Sequence, residues 1–278
     1  VVPVVSPESR VRTCLFGVSQ GSDLNERNVG VVFIQPLVRN GMNAALLTVG
    51  DELLDGDTAN TNATWLGEQL TARGVTVKRM LTIPDEVAVI ADATERYSES
   101  FDSVIVTGGL GGTPDDVTME GVAEGFDREL VENELARVDI EETLAELSEE
   151  YPDLRVDTAA EAAIPKGARP LINQAGLSPG CVLENVYVLP GIPSEMKRMF
   201  EDVVEEFDGD VDSRVLYTEE PEANLIEHLE TVQDTFEVSV GCYPDRSAGH
   251  NRLKLSGTTP DALADAEAWL KARIQRSE

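Results

Sequence analysis

From Asn43 onward the chain alternates between short apolar runs and helix-compatible runs, and this alternation limits the possible folds more than any other feature. NAALLTVG, starting at Asn43, reads as a buried strand, and Thr61 to Arg73 as a helix with Trp65, Leu66 and Leu70 on one face. Gly74 supplies a helix stop, and Val75 to Ile83 alternates as a strand does. Pro84 and Asp85 open a second helix to about Tyr97, and Phe101 to Val106 reads as another buried strand. Strand, helix, strand, helix, strand predicts an α/β fold in which helices cover a parallel sheet. Further on come an acidic helical region from Thr118 to about Glu150, a turn-rich stretch, PKGARPLINQAGLSPG, and the short strands CVLE and VYVLP. A turn into a helix follows at PGIPSEMKRMFEDVVEEF. With a boundary near Gly209, residues 42–209 form one domain. Residues 210–278 then read as a small α+β unit, β-α-β-β-α, closed by a helix from Asp261 to Arg273.

In sheets of this kind ligands bind at the carboxyl ends of strands. The run TGGLGGTPDDVT, Thr107 to Thr118, falls there. Its glycines (Gly108, Gly109, Gly111 and Gly112) let the backbone turn tightly and bring N–H groups close to a ligand. Asp115 and Asp116 stand at the mouth of the turn. Glycines beside carboxylates suit a magnesium–nucleotide site, because Mg²⁺ takes one or two carboxylates plus phosphate oxygens. The plain alternative is a strand-to-helix turn with a capping aspartate. Gly50, Asp51 and Glu52 follow the first strand and reach the same edge, so Asp51, Glu52, Asp115 and Asp116 converge there. Carboxylates gathered this way repel one another unless a cation such as Mg²⁺ or Mn²⁺ sits among them; a chance cluster on an acidic surface is the rival reading. Asn60 and Asn62 lead into the helix at Thr61, one as an N-cap and the other free to meet a base, a ribose or a metal-bound water. In LPGIPSEM, Pro190 and Pro193 stiffen a turn, Gly191 permits close approach, and Ser194 stands where helix N–H groups favour an anion. A proline-stiffened helix start is the alternative there.

Charge narrows the partners. The chain carries 52 acids against 22 lysines and arginines, for a net charge of -30. Such a surface repels nucleic acid and anionic membranes, and it fits a protein whose self-repulsion is screened by concentrated salt. Cys14, Cys181 and Cys242 show no paired spacing, and with His228 and His250 they do not make a usual zinc site. No apolar run approaches a membrane span, so a cytoplasmic location is expected. Residues 1–41 are nearly neutral and lack the order of a signal peptide; with Met42 the first methionine, they read as a non-native or disordered extension.

The pieces VGDELLDGDTANTN, GGLGGTPDDVT and LPGIPSEM resemble, in order and spacing, the amino-terminal domain of the CinA family, whose fold is shared with MogA, MoaB and part of MoeA. The resemblance covers Met42 to about Phe207, and the tail is similar to the small domain that follows in CinA proteins. It implies a three-layer αβα, molybdopterin-binding-like domain with a mostly parallel sheet. The family usually has proline where Gly112 stands. CinA proteins continue into an amidase domain, whose activity is not carried over. The resemblance implies nucleotide-pyrophosphate chemistry, either hydrolysis of ADP-ribose with a divalent cation (Mg, Mn or Co) or adenylylation of molybdopterin. A non-catalytic nucleotide-binding module is a third reading. By the same resemblance Asp51 and Glu52 hold the metal or orient water, and Asp115 and Asp116 ligate the metal. Gly108, Gly109, Gly111 and Thr113 cradle phosphates, while Pro190, Gly191 and Ser194 close on the far end of a nucleotide or pterin. A homo-oligomer is also expected by analogy.

Overall fold

The computed structural model describes residues 41–147, 151, 153 and 155–274. Apart from Gly41, the extension expected over residues 1–41 lies outside the described residues. The first strand, β1 (Asn43–Val49), is followed by a single turn, α1 (Asp51–Leu54), then α2 (Thr61–Ala72), β2 (Thr76–Ile83), α3 (Val87–Ser100) and β3 (Ser103–Thr107). Next come α4 (Thr118–Gly125), β4 (Leu130–Glu132), α5 (Glu134–Leu147), α6 (Thr158–Glu161), β5 (Ala163–Pro165) and β6 (Arg169–Leu171). A hairpin of β7 (Gly180–Leu183) and β8 (Val186–Leu189) leads into α7 (Pro193–Val203). The remainder is β9 (Asp212–Thr218), α8 (Glu222–Phe236), β10 (Ser239–Asp245), β11 (His250–Gly257) and α9 (Pro260–Lys271).

The main sheet runs β2-β1-β3-β8-β7-β6. Its first four strands are parallel, and β7 alone runs against them. That makes the sheet mostly parallel, as expected, and β1 is buried on both faces because helices cover both. On one side Leu66 and Leu70 of α2 and Met196, Met199 and Phe200 of α7 pack on Leu46, Ile105 and Leu189. On the other, Ile90 and Ala93 of α3 and Val122 of α4 pack on Leu47, Val104, Val106 and Val188. Successive strand residues thus feed opposite cores, which is the period-two rule acting in a fully covered sheet.

One expectation is corrected. The acidic run from Thr118 is not one helical region, because α4 stops at Gly125 and Asp127 takes a left-handed conformation at φ 52°. The chain then turns into β4, which pairs antiparallel with β5, itself outside the strands read from the sequence. Helix resumes only at α5. The small unit has the expected order, with an antiparallel sheet β10-β11-β9 and its own core of Leu225, Val232, Leu253, Leu263 and Leu270. It joins the main sheet where Gly209 N–H donates to Arg73 O and Val211 N–H donates to Gly74 O. That joint precedes β2, at the amino end of the parallel strands. Among the described residues no helix is long and apolar enough to cross a membrane.

Candidate active site

Four parallel strands end side by side, with Val49 opposite Ile83, Thr48 opposite Thr107, and Thr107 opposite Leu189. Their loops therefore emerge at one edge. Two backbone bonds tie the exits together, Gly50 N–H to Ile83 O (3.1 Å) and Gly108 N–H to Leu189 O (3.2 Å). Between the loops lies a cleft of about 490 Å³, floored by strand ends and walled by Glu52, Asn60, Asn62, Asp85, the Gly108–Gly111 turn, Asp115, Asp116 and Gly191. Asp51, Thr113, Pro190 and Ser194 belong to the same loops but not to the lining.

The glycine turn is built around Asp116. Its Oδ2 accepts from Thr113 N–H (3.0 Å) and from the Thr113 hydroxyl (2.5 Å), closing the loop on itself. A side chain at Gly111 would collide with this carboxylate, whose carboxyl carbon lies 2.9 Å from the added Cβ, so glycine there keeps Asp116 in place. The Asp115 carboxyl is held below the usual carboxylate range, first by the Thr113 side chain and then by its own backbone N–H.

The two asparagines divide their work. Asn60 caps α2 by accepting from Ala63 N–H (3.1 Å), while its amide donates to the Thr48 (2.8 Å) and Thr82 (3.2 Å) hydroxyls. It fastens the helix to β1 and β2. Asn62 donates to Gly191 O (2.7 Å) and, at 3.3 Å, to the Thr107 hydroxyl, which itself donates to Pro190 O (2.6 Å). That chain pins the proline turn across the cleft. The Asn62 Oδ1 is buried and has no partner among the described residues. A buried acceptor left open at a cleft wall has a strong reason to meet a ligand donor.

Asp85 joins the site, although the sequence reading gave it only a helix start after Pro84. It lines the cleft, accepts from Asp51 N–H (2.9 Å), and its Oδ1 lies 3.3 Å from where a Gly109 side chain would begin. Partial burial pushes its pKa up, and the charges of Asp51, Glu52 and Asp115 push the same way against the Asp51 hydrogen bond. The signal was an acid directly after a parallel strand, the same placement that singled out Asp51. Among the described residues no three His, Cys, Asp or Glu side chains are arranged as a ligand set for a metal ion. The donors nevertheless fit a hard cation of the Mg²⁺ kind, which keeps several waters, takes one or two carboxylates and completes its shell with substrate phosphate. They do not fit an all-protein cage.

Residues 45–208 match the model of a family described as "Probable molybdopterin binding domain", and residues 200–278 match that of the FAD synthase middle domain. A protein of Archaeoglobus fulgidus is 36% identical over 227 residues, which is 81% of this chain and 95% of that relative. A CinA-like protein of Frankia casuarinae is 40% identical over 165 residues, covering 57% of this chain and 38% of that protein. Among solved structures, the protein CinA of Thermoplasma acidophilum aligns with a TM-score of 0.52 at 35% identity, covering 60% of this chain and 99% of that one.

Proposed function

We propose, for a chain that belongs to the probable molybdopterin binding domain family and is CinA-like over that region, that the cleft is a metal-dependent nucleotide pyrophosphatase site. ADP-ribose or a related dinucleotide is the proposed substrate. One observation carries this reading: the cleft lining contains Glu52, Asp85, Asp115 and Asp116 but no lysine, arginine or histidine. A site of that charge can accept a pyrophosphate only with a divalent cation. When bound, such a cation neutralises the phosphates and draws electron density from the phosphorus under attack.

The protein's own share follows from the geometry. The N–H groups of Gly108 and Thr113 are taken by Leu189 O and Asp116, so the backbone N–H groups between them, Gly109 to Gly112, are the ones left for the phosphates, and a turn fixed at both ends costs little reorganisation as charge develops. Asp116, locked by Thr113, and Asp115 supply carboxylates on the turn side of the cleft. Glu52 adds a carboxylate from the first loop, and Asp85, whose Oδ1 lies 3.3 Å from where a Gly109 side chain would begin, has the raised pKa that makes it the better acceptor for the proton of an attacking water. The water oxygen forms a bond to one phosphorus, the bridging P–O bond breaks, and the leaving phosphate departs with that electron pair. Asn62 Oδ1 would accept from a sugar hydroxyl or a ring N–H of the bound ligand.

The test is release of AMP from ADP-ribose at high KCl with Mg²⁺, Mn²⁺ or Co²⁺ in turn, using Asp116→Asn and Asp85→Asn as controls. Metal-dependent turnover lost in both variants is expected. Folded protein without turnover under every metal would overturn the reading. It would favour the second one, a molybdopterin-binding or adenylylating protein, which the family description supports; fluorescence of copurified pterin checks that alternative directly. The acid excess further suits a medium rich in salt, and a homo-oligomeric assembly is part of the same proposal.

A further inference from the structure

The small unit's sheet is covered on one side only. Leu216, Leu253 and Leu255 face α8 and α9 and are buried with Leu225, Val232, Leu263 and Leu270. By the alternation of strand side chains, the residues between them face the other way. There Tyr217, Arg252 and Tyr243 form one row across the three strands, Arg252 pairing with Tyr217 on β9 and with Tyr243 on β10. The tyrosines are about half exposed, at 48% and 49%. The Arg252 guanidinium lies 5.1 Å from the Tyr243 ring centroid, and the His250 ring stands edge-on to Tyr217 at 5.0 Å. With Arg246 from the hairpin turn and Asp245 at the strand end, these residues bound a cleft of about 740 Å³.

The charges in this cleft run against the rest of the molecule. In a chain with 52 acids and 22 lysines and arginines, most described arginines sit in ion pairs, as Arg73 does with Glu205 and Arg169 with Glu206. Arg246 and Arg252 have no carboxylate partner among the described residues. Asp245, the one acid of the cleft, is turned into its own hairpin, accepting from Ser247 N–H (3.0 Å), the Ser247 hydroxyl (2.6 Å) and Ala248 N–H (3.0 Å). The Arg252 guanidinium between two exposed rings, with Arg246 on the adjoining turn, matches a ligand that is both flat and anionic. Rings of this kind stack on bases, and guanidinium groups grip phosphate through paired N–H donors.

We propose that this face of the small sheet is a second ligand site, taking a mononucleotide with its base on Tyr217 and its phosphates on Arg252, which Tyr243 backs, and Arg246. A polynucleotide is disfavoured, because a chain of net charge -30 repels a long polyanion beyond the few residues of the platform. The site is separate from the acid-lined cleft. The small unit joins the sheet at Gly209 and Val211, before β2, whereas the cleft lies past the other end of those strands, about 20 Å along at roughly 3.3 Å per residue.

Titration calorimetry of the full chain with ADP, in EDTA and high KCl, tests this without the metal chemistry of the other site. Saturable binding is expected, kept by Asp116→Asn and weakened about tenfold or more by Arg252→Ala and by Tyr217→Ala. Arg246→Ala, a turn residue outside the strand pairing, gives the same readout if either strand variant fails to fold. Binding equal to wild type in the folded variants overturns the proposal, as does the lack of any saturation. Displacement of ADP by equimolar inorganic phosphate would reduce the site to a simple anion hole, and tighter binding of a short single-stranded RNA than of ADP would replace the mononucleotide. Either result refutes the assignment.

Discussion

Replacing Gly108 with alanine separates the geometry of the glycine turn from its chemistry. Gly108 has φ 109°, where L side chains are strained, and its added Cβ would be driven into the Val49 carbonyl oxygen, with the carbonyl carbon 3.2 Å away. That oxygen is main chain at the end of a buried central strand, so it cannot swing aside as a side-chain tip can. The positive φ costs about 1–3 kcal/mol. Shifting a packed strand end adds about 1–3 kcal/mol, as overpacking in a core does. Lower entropy of the unfolded alanine chain returns about 0.4–1 kcal/mol. The net expectation is a loss of about 1–6 kcal/mol. Gly112 is the internal control: its φ is not positive, and its added Cβ would meet nothing nearer than Glu161 Oε2 at 3.4 Å. Gly112→Ala should stay within about 0.5 kcal/mol of wild type. Urea unfolding in EDTA measures both, since midpoint and slope give the free energy without metal linkage. A Gly108→Ala variant as stable as Gly112→Ala would refute the reasoning.

Two other outcomes follow from charge. Asp85 has a folded pKa raised above its unfolded value, so the folded state holds that proton more tightly and the associated stability is lost as pH rises through the folded pKa. Asp85→Asn should therefore raise the melting temperature of the metal-free protein at neutral pH while removing metal-dependent turnover; an unchanged or lower melting temperature there would contradict the partial burial of Asp85, and after it the crowding of Asp51, Glu52 and Asp115, as the source of its raised pKa. At a net charge of -30, the melting temperature should climb with KCl, and full stability at low salt would show that the acids do not repel one another appreciably.

The fold was legible because its signals are local. Gly74 as a stop, the period-two run to Ile83 and the apolar face of α2 each state their own structure, and three parallel strands follow from their alternation. β4 and β5 were not legible, since each is three residues long and its strand partner lies beyond two intervening helices in sequence. In the site, Asp51 could be picked out because it stands beside Gly50 and Asp116 because it ends a turn rich in glycine, whose backbone freedom has few other uses after a strand. Asp85 stands beside proline, and Pro-Asp before a helix is explained fully by helix initiation. Its second role becomes visible only when β2 lies against β1 in register, with Val49 opposite Ile83, which brings Asp85 to the N–H of Asp51. The same holds for Asn60 and Asn62. Two residues apart at a helix start, they look interchangeable, yet Asn60 is satisfied at both ends, its oxygen by Ala63 of its own helix and its amide by Thr48 and Thr82 of neighbouring strands, while one acceptor of Asn62 stays open.

The distribution of cations bears on how one edge of the sheet can serve phosphate chemistry. Arg73 donates to Phe207 O (2.7 Å) and pairs with Glu205, and Arg169 pairs with Glu206, so arginines brace the chain just before the small unit. None reaches the cleft lining. A lysine or arginine placed there would neutralise the acids in the resting protein and weaken their hold on a cation. In the proposed site, acids left unpaired would make affinity for metal and affinity for pyrophosphate mutually dependent, each ligand relieving the charge that opposes the other. Hydrolysis and nucleotidyl transfer both need that coupling, because each makes and breaks bonds at a phosphorus held on a cation. What separates them is the second reactant, water in one case and a ligand hydroxyl in the other. In this cleft that choice rests on what fills the space beside the open Asn62 acceptor and the Gly191 turn it holds.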